Sequence, residues 1–355
     1  MKQDGIDALA NPRIRARKKK PARMAVGLAI ICGALASPAA AEGNRGLTQA
    51  ELENGLRFGA MKAPGQVERL DSGAVVDELR VSADGRWIVY TAFASDIRNN
   101  EIWMVASDGS TKKKVDSPYG YKNTPTLWGG RKVAGVYRPL SVFVSLAGGA
   151  KANFVDGVYF RSLEDKSAPW TLWERGDFRD LSLSQDEAYL MASTGKWNSA
   201  TVRSTVRVWP LGPEGEKKGD AYAIAPSLKG QIHRIAMSSD SKTLIFECTV
   251  DKPGSYYGQS TIHSAPNKPG AEASLLFEDA SGPVLHGEIS NYTLFFVRGG
   301  GSVQAWRIGS DEAEEVIGFD GLYPNGMAYD RAKKRLVLGL QLSGSVASVI
   351  AIPLR

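Results

Sequence analysis

Three histidines, His233, His263 and His286, are all the imidazoles in a chain of 355 residues, and its two cysteines are Cys32 and Cys248. Few nucleophilic or zinc-dependent designs can be built from so small a stock. There is no Gly-x-Ser-x-Gly elbow, no His-Glu-x-x-His pair, no Gly-x-x-x-x-Gly-Lys phosphate cradle and no Cys-x-x-Cys pair. No catalytic or metal-ligating set is therefore assigned. What remains is a series of polar residues that recur at one place in an internal repeat: Asp77, Asn123, Arg179, His233, Arg234, His286 and Asn325. Arg179 and Arg234 are of the type that grips a carboxylate in bidentate fashion. His233 and His286 would sit in neighbouring repeats, but two imidazoles without a third ligand make a weak metal site.

The repeat consists of an apolar strand, Ser-x-Asp-x, then a second apolar strand. It is clearest at Ser82/Asp84, Ser184/Asp186 and Ser238/Asp240, with looser copies at Leu127, Ser290 and Asp330. These six anchors lie 45, 57, 54, 52 and 40 residues apart, close to the roughly 40–50 residues of a four-stranded propeller blade. Ser, Asp and Gly between apolar runs make a turn, because the short polar side chains bond nearby amides and Gly supplies positive φ. Each unit is thus a hairpin. Runs such as Ile102 to Val105, Val206 to Trp209 and Val303 to Ile308 supply further strands. The expected fold is all-β, a six-bladed propeller of four-stranded blades over residues 66–355. A ring must close or leave exposed edges, so Gln66 to Leu70 is expected to add the outer strand of the last blade. Counting five residues back from each anchor gives Asp77, Lys122, Arg179, His233, Leu285 and Asn325. Asn123, Asp180, Arg234 and His286 are one place on, all entering the innermost strands at one channel mouth. Two readings are open: a channel polar because it is wet, or a ring that binds a small polar ligand or a partner's peptide.

The first unit, VSADGRWIVYTAF at 81–93 with NEIWMVASDGS at 100–110, resembles the repeat of TolB-like β-propellers, whose pattern is Ser-Pro-Asp-Gly before an apolar strand and Glu-Ile-aromatic before Asp-Gly. The resemblance runs over residues 66–355, sharp in the first unit and looser later. It implies a stand-alone propeller without the α/β domain of TolB, acting by binding. A second fragment, PNGMAYD at 324–330, resembles the Pro-Asn-Gly unit of gluconolactonase-type propellers. There the Asn holds a catalytic divalent metal such as calcium, which implies a metal-dependent lactonase or hydrolase as the alternative. Glu78 and Asp180 would be its further ligands. As a plain turn, the same Pro-Asn-Gly needs no metal.

The N-terminus reads as a secretory signal over 1–41: a basic RIRARKKKPAR, an apolar stretch from Met24 to Ala36, and Ala39-x-Ala41 before the cut. A periplasmic or secreted location follows, with no membrane span after cleavage. The formal charge of +6 belongs to this leader, which holds eight of the 44 basic and two of the 38 acidic residues, leaving 36 of each. No nucleic-acid footprint is left, and Lys112 to Lys114 is expected to be a solvated hairpin. The mature chain keeps only Cys248, in an apolar run, and reads as a disulfide-free monomer without a cofactor. In the segment 42–65, Thr48 and Glu51 form a capping box before Leu52 and Leu56, so a short helix is expected, plugging one propeller face or binding a partner. Trp170, Trp173, Trp197, Tyr256 and Tyr257 are either interface residues or packing between blades.

Overall fold

The Ser-x-Asp turns form as their side chains require. In the three clear copies the serine hydroxyl donates to the aspartate two residues on, at 2.6 Å for Ser82 and Ser184 and 2.7 Å for Ser238. The same oxygen accepts the amide five residues on, from Trp87, Tyr189 and Thr243. The fourth turn position has a positive φ, 66° at Gly85, 58° at Glu187 and 56° at Ser241. Glycine has a second reason at position 85: a Cβ there would lie 2.6 Å from that of Ala332.

The computed structural model describes residues 45–59, 66–73, 75–93, 100–115, 121–128, 132–138, 156–165, 167–194, 204–250, 259–278, 284–290, 293–298, 301–310, 312–343 and 346–354. Residues 1–41, read as a secretory signal, and Trp197, Tyr256 and Tyr257 lie outside them. The chain begins with α1 (Gln49–Gly55), β1 (Leu56–Phe58) and β2 (Glu68–Ser72). Blade 1 is β3 (Val76–Val81), β4 (Trp87–Phe93), β5 (Asn100–Ala106) and β6 (Lys112–Val115). Blade 2 is β7 (Tyr121–Trp128), β8 (Lys132–Arg138), β9 (Gly157–Ser162) and β10 (Thr171–Arg175). Blade 3 is β11 (Phe178–Leu183), β12 (Tyr189–Thr194), β13 (Thr205–Pro210) and β14 (Tyr222–Ile224). Blade 4 is β15 (Gln231–Met237), β16 (Thr243–Val250), β17 (Gln259–Pro266) and β18 (Ser274–Glu278). Blade 5 is β19 (Val284–Ser290), β20 (Thr293–Arg298), β21 (Ser302–Arg307) and β22 (Glu314–Phe319). Blade 6 takes β23 (Tyr323–Asp330), β24 (Arg335–Ser343) and β25 (Val346–Pro353).

Every sheet is antiparallel in simple sequence order, and β2 pairs with β25 to complete blade 6. This is a six-bladed β-propeller of four-stranded blades, closed as expected by the segment before the first blade. Its apolar side chains fall into six buried clusters, one between each pair of adjacent blades. Both faces of each sheet are thus covered, which is why the strands read as near-continuous apolar runs.

The closing joint is also polar. Arg335, on β24, donates to buried Asp330 at 3.0 Å, to Glu68 of β2 at 2.5 Å and to the Ser107 carbonyl of blade 1. Asp71 of β2 accepts the Tyr90 hydroxyl and Lys112, both of blade 1. The N-terminal segment adds a second fastening. Thr48 and Glu51 form the capping box, and Leu47, Leu52 and Leu56 are buried with the blade 5 and blade 6 cluster. Leu47 donates its amide to Ser348 at 2.9 Å, and β1 pairs with β22 as a fifth strand on blade 5. The helix therefore straddles the outer strands of two blades instead of plugging a face or standing free, because its leucines find the seam between blades 5 and 6.

Lys112 to Lys114 form β6, the outer edge of blade 1 and the exposed second strand of the β5–β6 hairpin, solvated as expected. Lys113 lies over Trp87 at 4.5 Å and Lys112 over Trp103 at 4.6 Å. Lysines on an edge also discourage pairing with another chain. Trp173 packs edge-on against Phe160 at 5.5 Å and Trp209 at 5.3 Å, so it serves as inter-blade packing. Cys248 is a buried free thiol.

Candidate binding site at the channel mouth

All six innermost strands lose register with their neighbours near their N-terminal ends. The shifts fall at Val76/Glu78, Asn123/Thr126, Phe178/Leu181, His233/Ala236, Val284/Gly287 and Pro324/Gly326. Bulges re-aim side chains and gather at rims and sites. The sequence-derived residues lie in these shifts or beside them, so one irregularity, repeated six times, brings them to a single mouth. The side chains of Asp77, Asn123 and His286 lie outside what the structure describes; those of Arg179, His233, Arg234 and Asn325 are defined.

Blades 1, 3 and 4 meet here through charge. Arg234, in β15, has φ of +49°, the one positive-φ non-glycine residue inside a strand among the described residues. Such a conformation costs an L-residue roughly 1–2 kcal/mol. Its Nη1 reaches Glu78 Oε1 at 3.3 Å, and Glu78 belongs to blade 1, the opposite member of the ring. Arg80, two residues further along β3, places Nη2 3.1 Å from Asp180 Oδ1. The other Asp180 oxygen accepts the Ile235 amide at 2.5 Å, an amide turned out by the β15 bulge, and the Asp180 amide donates to Ser193 at 3.1 Å. Arg179 is buried, with Nη2 3.7 Å from Asp177.

Two neighbours have displaced pKa values. His233 is lowered to about 4, chiefly by burial and then by the Arg234 charge, with Asp180 opposing. Opposite it across the ladder stands Glu247, raised to about 7 by burial, against the pull of Arg234 and the 2.7 Å hydrogen bond from Ser260. At neutral pH the imidazole is therefore neutral and the carboxyl half-ionised. On blade 6, Asn325 Nδ2 donates to Gln341 at 2.7 Å, and Tyr323 beside it is 60% exposed.

Arg80, Glu247 and Tyr323 were not assigned from the sequence, and Glu78 only as a metal ligand in the lactonase alternative. Glu78 and Arg80 stand two apart on the innermost strand of the clearest repeat, so strand periodicity was a usable signal for both. Glu247 sits on a second strand and gave none. As a divalent-metal site the mouth is poorly composed: Glu78 is held by Arg234, Asp180 by Arg80 and a backbone amide, and guanidinium groups stand where a cation would sit. No cluster of three or more His, Cys, Asp or Glu residues suited to a metal occurs among the described residues.

No family model and no curated protein matches the chain. Solved structures do. A gluconolactonase from Xanthomonas campestris is 13% identical, with 88% of this chain and 95% of that one covered and a TM-score of 0.56. Hydrazine synthase from Kuenenia stuttgartiensis is 12% identical over 77% of this chain and 82% of that one, with a TM-score of 0.53. TolB from Acinetobacter baumannii is 13% identical over 84% and 62%, with a TM-score of 0.45. At these identities the likeness is one of fold, and the fold is the propeller.

Proposed function

We propose that this protein is an exported binding propeller of the TolB-like class. It takes a carboxylate-bearing ligand, either a small polar molecule or the end of a peptide of an envelope protein, at the channel mouth. The observation that carries this reading is Arg234: a strained residue on a bulge, aimed across the channel at a carboxylate on the opposite blade. Strain of this kind persists where the surroundings over-determine it, and it concentrates at ligand sites. A ligand carboxylate would replace Glu78 on the guanidinium, with Arg179 and the exposed Tyr323 as neighbours at the rim. The basic, apolar and Ala-x-Ala order of residues 13–41 supports export. Among the described residues no helix is long and apolar enough to cross a membrane.

The test is a thermal-shift screen of mono- and dicarboxylates and of peptides with free C-termini, run beside Arg234→Gln. A shift in the parent that Arg234→Gln removes, with circular dichroism unchanged, is the expected result. Elemental analysis of protein purified without chelator runs in parallel. Near-stoichiometric calcium, manganese or zinc that Asn325→Ala abolishes would replace this reading with the metal-dependent lactonase.

A further inference from the structure

The other end of the channel, where the innermost strands run into the Ser-x-Asp turns, is built differently. A cavity of about 80 Å³ lies there, reached by five blades through Arg80, Thr126, Ser182, Gln185, Met237 and Arg331 among others. Roughly 10–15 Å³ of such space suffices for a water, so it has room for several waters or for one small oxyanion. Its lining contains two arginines and no carboxylate. The nearby Asp84 and Asp186 accept from their own serines and from turn amides instead.

Both guanidinium groups are held in place, Arg80 from outside the cavity and Arg331 by residues of its lining. Arg80 is fixed by Asp180 at 3.1 Å and by the Leu79 carbonyl at 3.0 Å. Arg331 crosses from blade 6 to Gln185 of blade 3 at 2.9 Å and to the Met237 carbonyl of blade 4 at 3.4 Å. Thr126 and Ser182 are buried residues of the cavity lining, and their hydroxyls take no protein hydrogen bond among the described residues. Two positioned forks and two hydroxyl donors around a space free of acid match the needs of an oxyanion, whose oxygens accept several charge-assisted hydrogen bonds at once.

We propose that this cavity binds a small oxyanion of the phosphate or sulfate class between Arg80 and Arg331, with Thr126 and Ser182 as further donors. The cavity meets the mouth at Arg80, whose Asp180 partner belongs to the mouth, whereas Arg331, Thr126 and Ser182 belong to the cavity alone. Isothermal titration calorimetry of sodium phosphate and sodium sulfate into the purified protein, at ionic strength fixed with sodium chloride, tests it. Saturable one-to-one binding is expected, weakened at least tenfold by Arg331→Gln and several-fold by Thr126→Val, a swap that removes the hydroxyl but keeps the shape. Comparing the two anions shows which charge and proton content the site prefers. The absence of saturable heat with either anion would overturn the proposal, as would binding that Thr126→Val leaves intact. So would binding lost in Arg234→Gln while Arg331→Gln retains it, which would move the anion to the mouth. Should Arg331→Gln fail to fold, Thr126→Val decides.

Discussion

At the scale of single residues, Glu247 and His233 face each other across one rung of blade 4 with displacements of opposite consequence. Glu247 is raised from 4.5 to about 7, so between those values the folded chain holds a proton the unfolded chain has lost, and stability falls as pH rises. His233 is lowered from 6.5 to about 4. Over that range the unfolded chain holds the extra proton, and stability rises with pH. The two slopes oppose each other between about pH 4.5 and 6.5 and largely cancel. Glu247→Gln keeps the shape and the Ser260 partner but removes one slope. Its stability in urea should therefore rise from pH 4.5 to 6.5 by about 2 kcal/mol more than the parent's; matching profiles would refute the opposition. Cys248, pushed up to about 12 by burial and by Glu247, should not react with a thiol reagent at pH 8 until the protein is unfolded. Labelling followed with and without denaturant checks this. That inertness was readable from the apolar run around Cys248, whereas Glu247 was not, because its role depends on a partner strand and a bulge that only the fold brings together.

At the scale of elements, legibility followed local chemistry. The turns at Ser82, Ser184 and Ser238 were plain because serine, aspartate and the following amides satisfy one another within six residues. The Thr48 capping box was plain for the same reason. Blade closure by residues 66–70 could be inferred because a ring admits no loose edge, and β2 does pair with β25. The fifth strand of blade 5 could not. β1 is three residues long, and its pairing with β22 joins positions more than 250 apart in sequence, so no local pattern announces it. The bulges that define the mouth were hidden likewise, since register is a property of two strands. The straddling helix yields a prediction at this scale. Leu52→Ala removes a side chain 2% exposed in the seam between blades 5 and 6, and should cost about 2–4 kcal/mol. Gln49→Ala, on the outer face, should cost a few tenths. Equal small effects in urea denaturation would mean that the segment only rests on the surface.

At the scale of the molecule, the propeller depends on one joint, where strands from opposite ends of the described chain share a sheet and blade 6 meets blade 1. Arg335 stands at its centre, 3% exposed, with Asp330 fully buried beside it. An ion pair of this kind gives little net stability against an apolar replacement of both partners, but losing one partner strands a charge in a medium that solvates it poorly. Arg335→Met should thus cost about 3–5 kcal/mol, and the double variant Arg335→Met with Asp330→Asn should recover part of that loss. Because every blade borrows its core from two neighbours, the damage should lower one transition for the whole ring. Tryptophans in blades 1, 3 and 5, namely Trp103, Trp209 and Trp306, report from well-separated places. Fluorescence and far-UV circular dichroism should therefore give coincident midpoints in the variant as in the parent. An early fluorescence phase separated from the loss of sheet would show that the ring can open at the joint while the remaining blades stay folded. The closure would then be a local seam and not the support of the whole.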